Sequence, residues 1–353
     1  MEEQALYNSA IALLKQLIAT PSISKEEDKT AATIADWFKA VNIKVNRSQN
    51  NIWCTNKYFD SNKPTILLNS HHDTVKPNNG YTKDPFNSEV ADGKLYGLGS
   101  NDAGASLVSL MATFSHFYSS EKLNYNLVIA TTAEEENSGP NGLASLKNEL
   151  PPIDFAIVGE PTGMNLAIAE KGLLVIDGLA NGTAGHSAHP NDDNAIYNAL
   201  KDISWIEQYQ FPKVSDMLGL VKMTVTQINA GQQHNVVPDQ CQFVVDVRVN
   251  ECYSNEEVFA IIDEHTQSEM KARSFRLNSS SIPLDNPFVQ AGVKLGRSTY
   301  GSPTLSDQAI LSCPSVKIGP GDSTRSHQAD EYIYLKEIEE GIELYIKLLN
   351  EIL

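Results

Sequence analysis

The chain has 353 residues, beyond the roughly 250 to 300 at which a single hydrophobic core stops growing, so about two domains are expected. Its 27 Lys and Arg against 44 Asp and Glu give a formal net charge of −17, and no basic cluster offers a stripe for phosphates, which argues against nucleic-acid binding. The acidity serves either solubility or a field that favours cationic substrates. No run approaches the roughly 20 apolar residues of a membrane span, and MEEQALYNSAIALLKQL lacks the basic start and apolar stretch of a signal peptide, so a cytoplasmic protein without membrane contact is expected. Cys54, Cys241, Cys252 and Cys313 show no CxxC spacing and read as reduced thiols.

Residues 3 to 19 and 25 to 40 carry helical periodicity, interrupted by ATPSIS with its Pro21 and two serines. Strands and helices then alternate: a strand at 64 to 70, a helix from about 103 to 119, a strand at 126 to 132, a helix near 141 to 149 and a strand at 154 to 159. Alternation of this kind predicts a mostly parallel central sheet with helices on both faces. From residue 172 to 282 the pattern changes: GLLVIDGLA, LVKMTVTQI, CQFVVDVRV and SFRLNSSS read as strands, with helices near 192 to 209 and 254 to 272 between them. That order is βαββαβ, the ferredoxin-like split unit. Residues 283 to 353 return to the first pattern, with a helix from Pro287, a strand at PSVKIG and a closing amphipathic helix carrying Ile338, Ile342, Tyr345 and Leu349 on one side. The expected organisation is therefore α/β, with segments 1–171 and 283–353 forming one domain interrupted by the insert 172–282.

Acidic and imidazole residues recur where apolar runs end. In SHHDTV, His71 leaving its strand can present one ring nitrogen to a metal, while Asp73, on the same side of an extended chain, accepts the other N–H; His72 points the opposite way. Taken alone the triplet also suits a buried structural histidine. In GLGSND the two oxygens of Asp102 can bridge two cations about 3.5 to 4 Å apart, or Asp102 can cap the following helix. Glu134, Glu135 and Glu136 leave an apolar strand together, so that one can bind metal while its neighbour takes a proton from activated water. GEPTG supplies Glu160 and GPGDSTRSHQADEY supplies His327. These positions are too far apart in sequence for a local chelate loop and meet only in a fold, at the carboxyl ends of parallel strands. Together they point to a two-metal hydrolase.

Over essentially the whole chain these motifs resemble the di-zinc amidohydrolase family that includes acetylornithine deacetylase, succinyl-diaminopimelate desuccinylase, aminoacylase and the carboxypeptidase-type and tripeptide-type aminopeptidases. The resemblance implies two zinc ions per chain, with cobalt as a substitute. His71 and Glu160 would hold one, Glu136 and His327 the other, and Asp102 would bridge them. Glu135 would be the general base for a zinc-activated water and Asp73 the orienter of His71. The family usually has Asp-Glu-Glu where this chain has Glu134-Glu135-Glu136, which leaves open a register in which Glu134 and Glu135 are base and ligand. GTAGHSAHP resembles the segment whose histidine, here His186, reaches the partner subunit's active site and steadies the oxyanion; His189 falls at a variable position. Asn235 in INAGQQHNVVPDQ and Arg248 in DVR would bind a substrate carboxylate, Arg248 having a surface role as its alternative. The resemblance also makes the insert a dimerisation or lid domain and implies a homodimer.

The closing stretch SPTLSDQAILSCPSVKIGPGDSTRSHQADEYI looks most like the acetylornithine deacetylase branch. That implies hydrolysis of the amide of N2-acetyl-L-ornithine, or of N-succinyl-ornithine or N-acetyl-citrulline, in arginine biosynthesis. Arg325 would pair with a succinyl carboxylate or make a surface or dimer contact. A succinyl-diaminopimelate desuccinylase or zinc dipeptidase is the alternative within this chemistry, and a non-catalytic binding module retaining the fold is the alternative outside it.

Overall fold

Three apolar runs, Thr65–His71, Asn126–Thr132 and Phe155–Val158, are buried at every residue, as strands covered on both faces must be. They lie in parallel with Ser315–Lys317 in the order Asn126–Thr132, Thr65–His71, Phe155–Val158, Ser315–Lys317. The margins are antiparallel: Asn51–Thr55 pairs with Asn126–Thr132 on one side, and Lys317 pairs with Ala167 on the other. The sheet is thus mixed, with a parallel centre. The computed structural model describes residues 3 to 353, which divide into two units. The sheet unit runs up to Ile168 and takes in Ser281–Tyr300 and Ser306–Leu353; the inserted unit is Ala169–Ser280 with Gly301–Leu305.

From Thr65–His71 the chain goes first to one neighbouring strand, Asn126–Thr132, and then to the other, Phe155–Val158. Sheet growth reverses there, which opens a crevice beyond the carboxyl end of the central strand. The almost wholly buried helix Ala105–Phe117 packs against Glu3–Ile18 and Leu335–Asn350. Its Phe114 meets Phe38 of the helix Asp28–Ala40 edge-on, with ring centroids 6.2 Å apart. Ile338, Ile342, Tyr345 and Leu349 are the buried stripe of the closing helix. The central helix begins at Ala105 rather than 103, because Asp102 (φ −115°, ψ 100°) and Ala103 (φ −114°, ψ 30°) leave helical geometry, with a cis peptide between them. Residues 141 to 149 form only the short 3-10 segment Leu143–Asn148. The backbone N–H of Asn141 is drawn to the Glu134 side chain, and Pro151 and Pro152 follow too soon for a longer helix.

In the inserted unit, four antiparallel strands run in the order Lys222–Ala230, Gln240–Val249, Gly172–Asn181, Glu269–Ala272. The helices Ala195–Gln208 and Asn255–His265 complete the βαββαβ order. Asn194 caps the first by accepting from Ile196 N, and Ser254 with Glu257 forms a capping box on the second. The fourth strand precedes SFRLNSSS, and the second helix stops seven residues short of 272. The reason is Asp202: its buried carboxylate accepts from Gln267 N at 3.1 Å, Ser268 N at 2.8 Å and Ser268 Oγ at 2.6 Å, turning the chain out of the helix and into the strand. Gly178 is required by close packing, since a Cβ there would stand 2.4 Å from the ring of Phe243. All four cysteines are free, and among the described residues no helix is long and apolar enough to cross a membrane.

Candidate active site

Strand register decides which side chains meet. His71 pairs with Thr132 on one side, and Asn69 pairs with Val158 on the other. Glu134–Glu136 therefore emerge just above His71, and Glu160, two residues past Val158, comes level with it. The strand beyond Phe155–Val158 ends at Lys317, and the chain returns through Gly319–Gly321 to His327, which sits at φ +61°.

His71 is buried at the centre. Its Nε2 lies 3.4 Å from Asp102 Oδ1, 3.7 Å from Glu160 Oε1 and 3.8 Å from Glu135 Oε2. Its Nδ1 lies 3.3 Å from Asp73 Oδ1 and 3.1 Å from the Asp73 carbonyl. Asp73 does more than face His71: its carboxylate accepts from Ser24 Oγ at 2.7 Å and from the backbone N–H of Glu135 and of Glu136, each at 3.1 Å. It thereby sets the ring and the acidic turn together. His327 Nε2 lies 3.0 Å from Glu136 Oε2 and 3.6 Å from Asp102 Oδ2, so Asp102 turns one oxygen toward each histidine.

His72, as expected, and Glu134, whose role the sequence leaves open, face away from the cluster. His72 Nε2 donates to Asn50 O at 2.9 Å, its Nδ1 meets Thr30 Oγ1 at 2.9 Å, and burial pushes its pKa down to about 4. Glu134 has its carboxylate occupied by Asn141, accepting from Nδ2 at 2.9 Å and from the backbone N–H at 3.1 Å. Glu135 and Glu136 are the members of the triplet that face the histidines.

The electrostatics of this cluster are those of crowded like charges. Burial, reinforced by neighbouring carboxylates, holds Glu135 well above the ordinary carboxylate range and raises Glu136. Burial with the nearby Asp102 pushes Glu160 up to about 8. Burial alone would lower His71, but Glu135, Asp102, Asp73 and Glu160 hold it well above its usual value. Asp102 and Asp73 go below theirs despite burial, chiefly through the neighbouring His71. The hydrogen bond to Glu136 carries His327 up to about 9.

The donor set fits divalent metal. His71, Asp102 and Glu136 bring ligand atoms within 4.8 Å of one another, and so do His71, Glu135 and Glu160. Nitrogen and carboxylate oxygen donors suit zinc. His71 Nε2 is buried without a hydrogen-bond partner among the described residues, although three carboxylates surround it. A divalent cation held by these donors would give that nitrogen a partner and offset the repulsion among the acids.

The remaining nominated residues are His186, Asn235, Arg248 and Arg325. His186 and Asn235 are brought together within the inserted unit, where Gly185–His186 pairs with Val236–Val237 and Ser187 N donates to Asn235 O at 3.0 Å. Arg248, in the same unit, is clasped by Asp246, with Nε 2.8 Å and Nη2 3.2 Å from its oxygens. Arg325 belongs to the sheet unit, but both of its terminal nitrogens are taken by Glu337, at 2.7 and 2.9 Å.

Three acids that shape the site carry no signal in sequence. Glu331 is buried and accepts from Gly99 N at 3.1 Å, Asn101 N at 2.8 Å and Asp102 N at 2.9 Å, fastening the turn that bears Asp102; burial with the facing Asp102 charge pushes it up to about 8. Glu27, in what reads as a solvated KEED run, is fully buried and accepts from Lys25 N, Glu134 N and Asn50 Nδ2. Asp307 accepts from Thr132 Oγ1 at 2.7 Å and is raised by burial to about 6. Replacing Glu331 by Ala orphans three backbone donors and should lower stability by about 3 kcal/mol and weaken metal uptake by about 10- to 100-fold. Thermal unfolding with chelator competition checks this; unchanged metal affinity would show that the turn holds Asp102 without Glu331.

Comparison with known proteins agrees with this geometry. The model of the peptidase family M20/M25/M40 matches residues 67–351. Acetylornithine deacetylase of Proteus mirabilis is 28% identical, with 96% of each chain covered. Succinyl-diaminopimelate desuccinylase 2 of a Ruegeria species is 24% identical, with 83% of this chain and 81% of that protein covered. A dinuclear metal-binding M20 peptidase from Bacillus subtilis superposes with a TM-score of 0.75 at 16% identity, covering 98% of each chain, and so shares the fold. With its donors gathered at the ends of parallel strands and the family model spanning most of its length, the chain belongs to peptidase family M20/M25/M40, whose members are metal-dependent amidohydrolases.

Proposed function

We propose that this protein removes the acyl group from an N-acylated amino acid, N2-acetyl-L-ornithine or N2-succinyl-L-ornithine first among the substrates, with two zinc ions held by His71, Asp102, Glu136, Glu160 and His327. The observation that carries the reading is Asp102, which offers Oδ1 to the His71 side and Oδ2 to the His327 side of one buried cluster. The amino-acid class rests on similarity to the deacetylase at 28% identity, and the desuccinylase at 24% keeps N-succinyl-diaminopimelate as a second substrate to assay.

When bound, the cations supply Lewis-acid polarisation of the amide carbonyl and lower the pKa of water. The chain's own residues do the rest. Asp73 fixes the His71 ring and, through its bonds to the backbone of Glu135 and Glu136, aims the acidic turn. Glu135 takes the proton from the attacking water and returns it to the leaving amine, and a carboxyl group raised by burial and by acid neighbours is matched to both steps. Turnover of either ornithine derivative that is lost on chelation tests the reading. Glu135→Gln should lower kcat by about 10²- to 10⁴-fold. Metal content must stay at the wild-type level; a variant that loses metal would make Glu135 a ligand rather than the base.

Metal loading carries a pH signature. In the metal-free chain Glu160 at about 8 and His327 at about 9 are protonated at neutral pH, and each must release its proton to become a donor. Apparent zinc affinity should therefore fall as pH drops below about 9, and more steeply below about 8. Calorimetric titration at pH 7 in two buffers of different ionisation heat should show proton release, and equal heats in both would contradict the assignment.

The homodimer and His186 belong to the same proposal. The outer strand Lys222–Ala230 has a free edge and exposes Ile228, which suits pairing with a second copy. If His186 serves the partner's site, mixing His186→Ala with Glu135→Gln chains should restore up to about a quarter of wild-type activity, because half of the dimers are mixed and each of those has one intact site. No recovery, with mixed dimers present, would place His186 outside the reaction.

A further inference from the structure

The cation nominated for a substrate carboxylate in the sheet unit, Arg325, is committed to Glu337, and Lys83 is paired with Glu89 at 2.9 Å. Lys76 is different. Its exposed ammonium forms no ion pair or hydrogen bond with any described residue, in a chain whose formal charge is −17. It stands three residues after Asp73 and, with Val75, Asn78, Tyr81, His327 and Gln328, lines a cleft of about 250 Å³. A group bound against His327 in that cleft is within reach of the lysine arm.

The wall carrying Lys76 is held in place. Asn78 Nδ2 donates to the His327 carbonyl at 3.1 Å while its Oδ1 accepts from Gly80 N at 2.9 Å. Thr82 N and Lys83 N donate to Asp330 Oδ1 at 2.8 and 2.9 Å. The segment is thus fastened at two points to the turn that bears His327, and the Lys76 side chain stands exposed on it. Every acid of the neighbouring cluster is engaged by a histidine or a backbone donor, so none competes for Lys76. An ammonium on a flexible stem suits a carboxylate whose position differs between substrates, because it reads charge without a fixed fork.

We propose that this cleft is a carboxylate subsite in which the ammonium of Lys76 pairs with an anionic group of the substrate next to the scissile amide. The inference rests on the deacylase reading for its substrate, and it narrows that reading to acyl amino acids that carry such a carboxylate beside His327. Two carboxylates have the required chemistry, the terminal one of a succinyl group and the α-carboxylate of the amino acid.

Succinate, titrated calorimetrically into zinc-loaded protein, tests the subsite independently of turnover. Lys76→Met should weaken succinate binding by about tenfold or more, and Lys76→Arg should recover most of it, as expected for a charge-assisted hydrogen bond. Equal binding by wild type and Lys76→Met, or no binding by wild type, overturns the proposal. Steady-state rates then locate the carboxylate. A raised KM for N2-succinyl-L-ornithine alone assigns the acyl end, and a raised KM for N2-acetyl-L-ornithine as well assigns the α-carboxylate. Succinate discrimination without deacylation of either compound would remove the deacylase reading and leave the subsite standing.

Discussion

Everything in the sheet unit is arranged around one costly fact: a buried imidazole nitrogen, His71 Nε2, faces three carboxylates and has no hydrogen-bond partner among the described residues. Like charges in a low-dielectric crevice repel, and burial among them pushes the pKa values of Glu135 and Glu160 upward. Such a grouping persists only if covalent geometry and backbone hydrogen bonds hold it. Parallel register supplies the first, by ending neighbouring strands at nearly the same level. Divalent cations resolve the repulsion, which is why the family's chemistry and this arrangement belong together.

A second tier of acids holds the first. Asp73, Glu27 and Glu331 accept backbone N–H groups from the turns that carry Glu134–Glu136 and Asp102. Their environments differ in an instructive way. Asp73 has His71 beside it and lies below its ordinary pKa, whereas Glu331 faces the charge of Asp102 and is pushed up to about 8. Oriented backbone donors hold the carboxylate in place in either case. Asp102 itself is fastened through its backbone, which leaves both of its oxygens for the cluster.

Arg248, Arg273 and Arg325 are each matched to an acid of their own unit and serve the fold. Lys76 has no such partner, and it alone among these stands in the cleft with His327. In a protein with so large an excess of acid, an unpaired cation in the cleft with His327 is the observation on which the proposed carboxylate subsite rests.

The sequence by itself determined most element types, the parallel centre of the sheet and the βαββαβ insert, and it nominated the strand-end donors, because period-2 and period-3.6 patterns and strand-end acids are local signals. It left open which two of Glu134, Glu135 and Glu136 enter the crevice, since adjacent glutamates are chemically alike; in the structure Asn141 occupies Glu134. It also misplaced the last strand of the insert, where a single distant carboxylate, Asp202, turns the chain before the apolar pattern ends. Glu27, Glu331 and Asp307 carry no local signal, and neither does the pairing of Arg325 with Glu337, because burial and pairing depend on tertiary neighbours. Tertiary structure decided those, for the physical reason that a carboxylate's role follows from the donors and charges around it, and no local pattern encodes them.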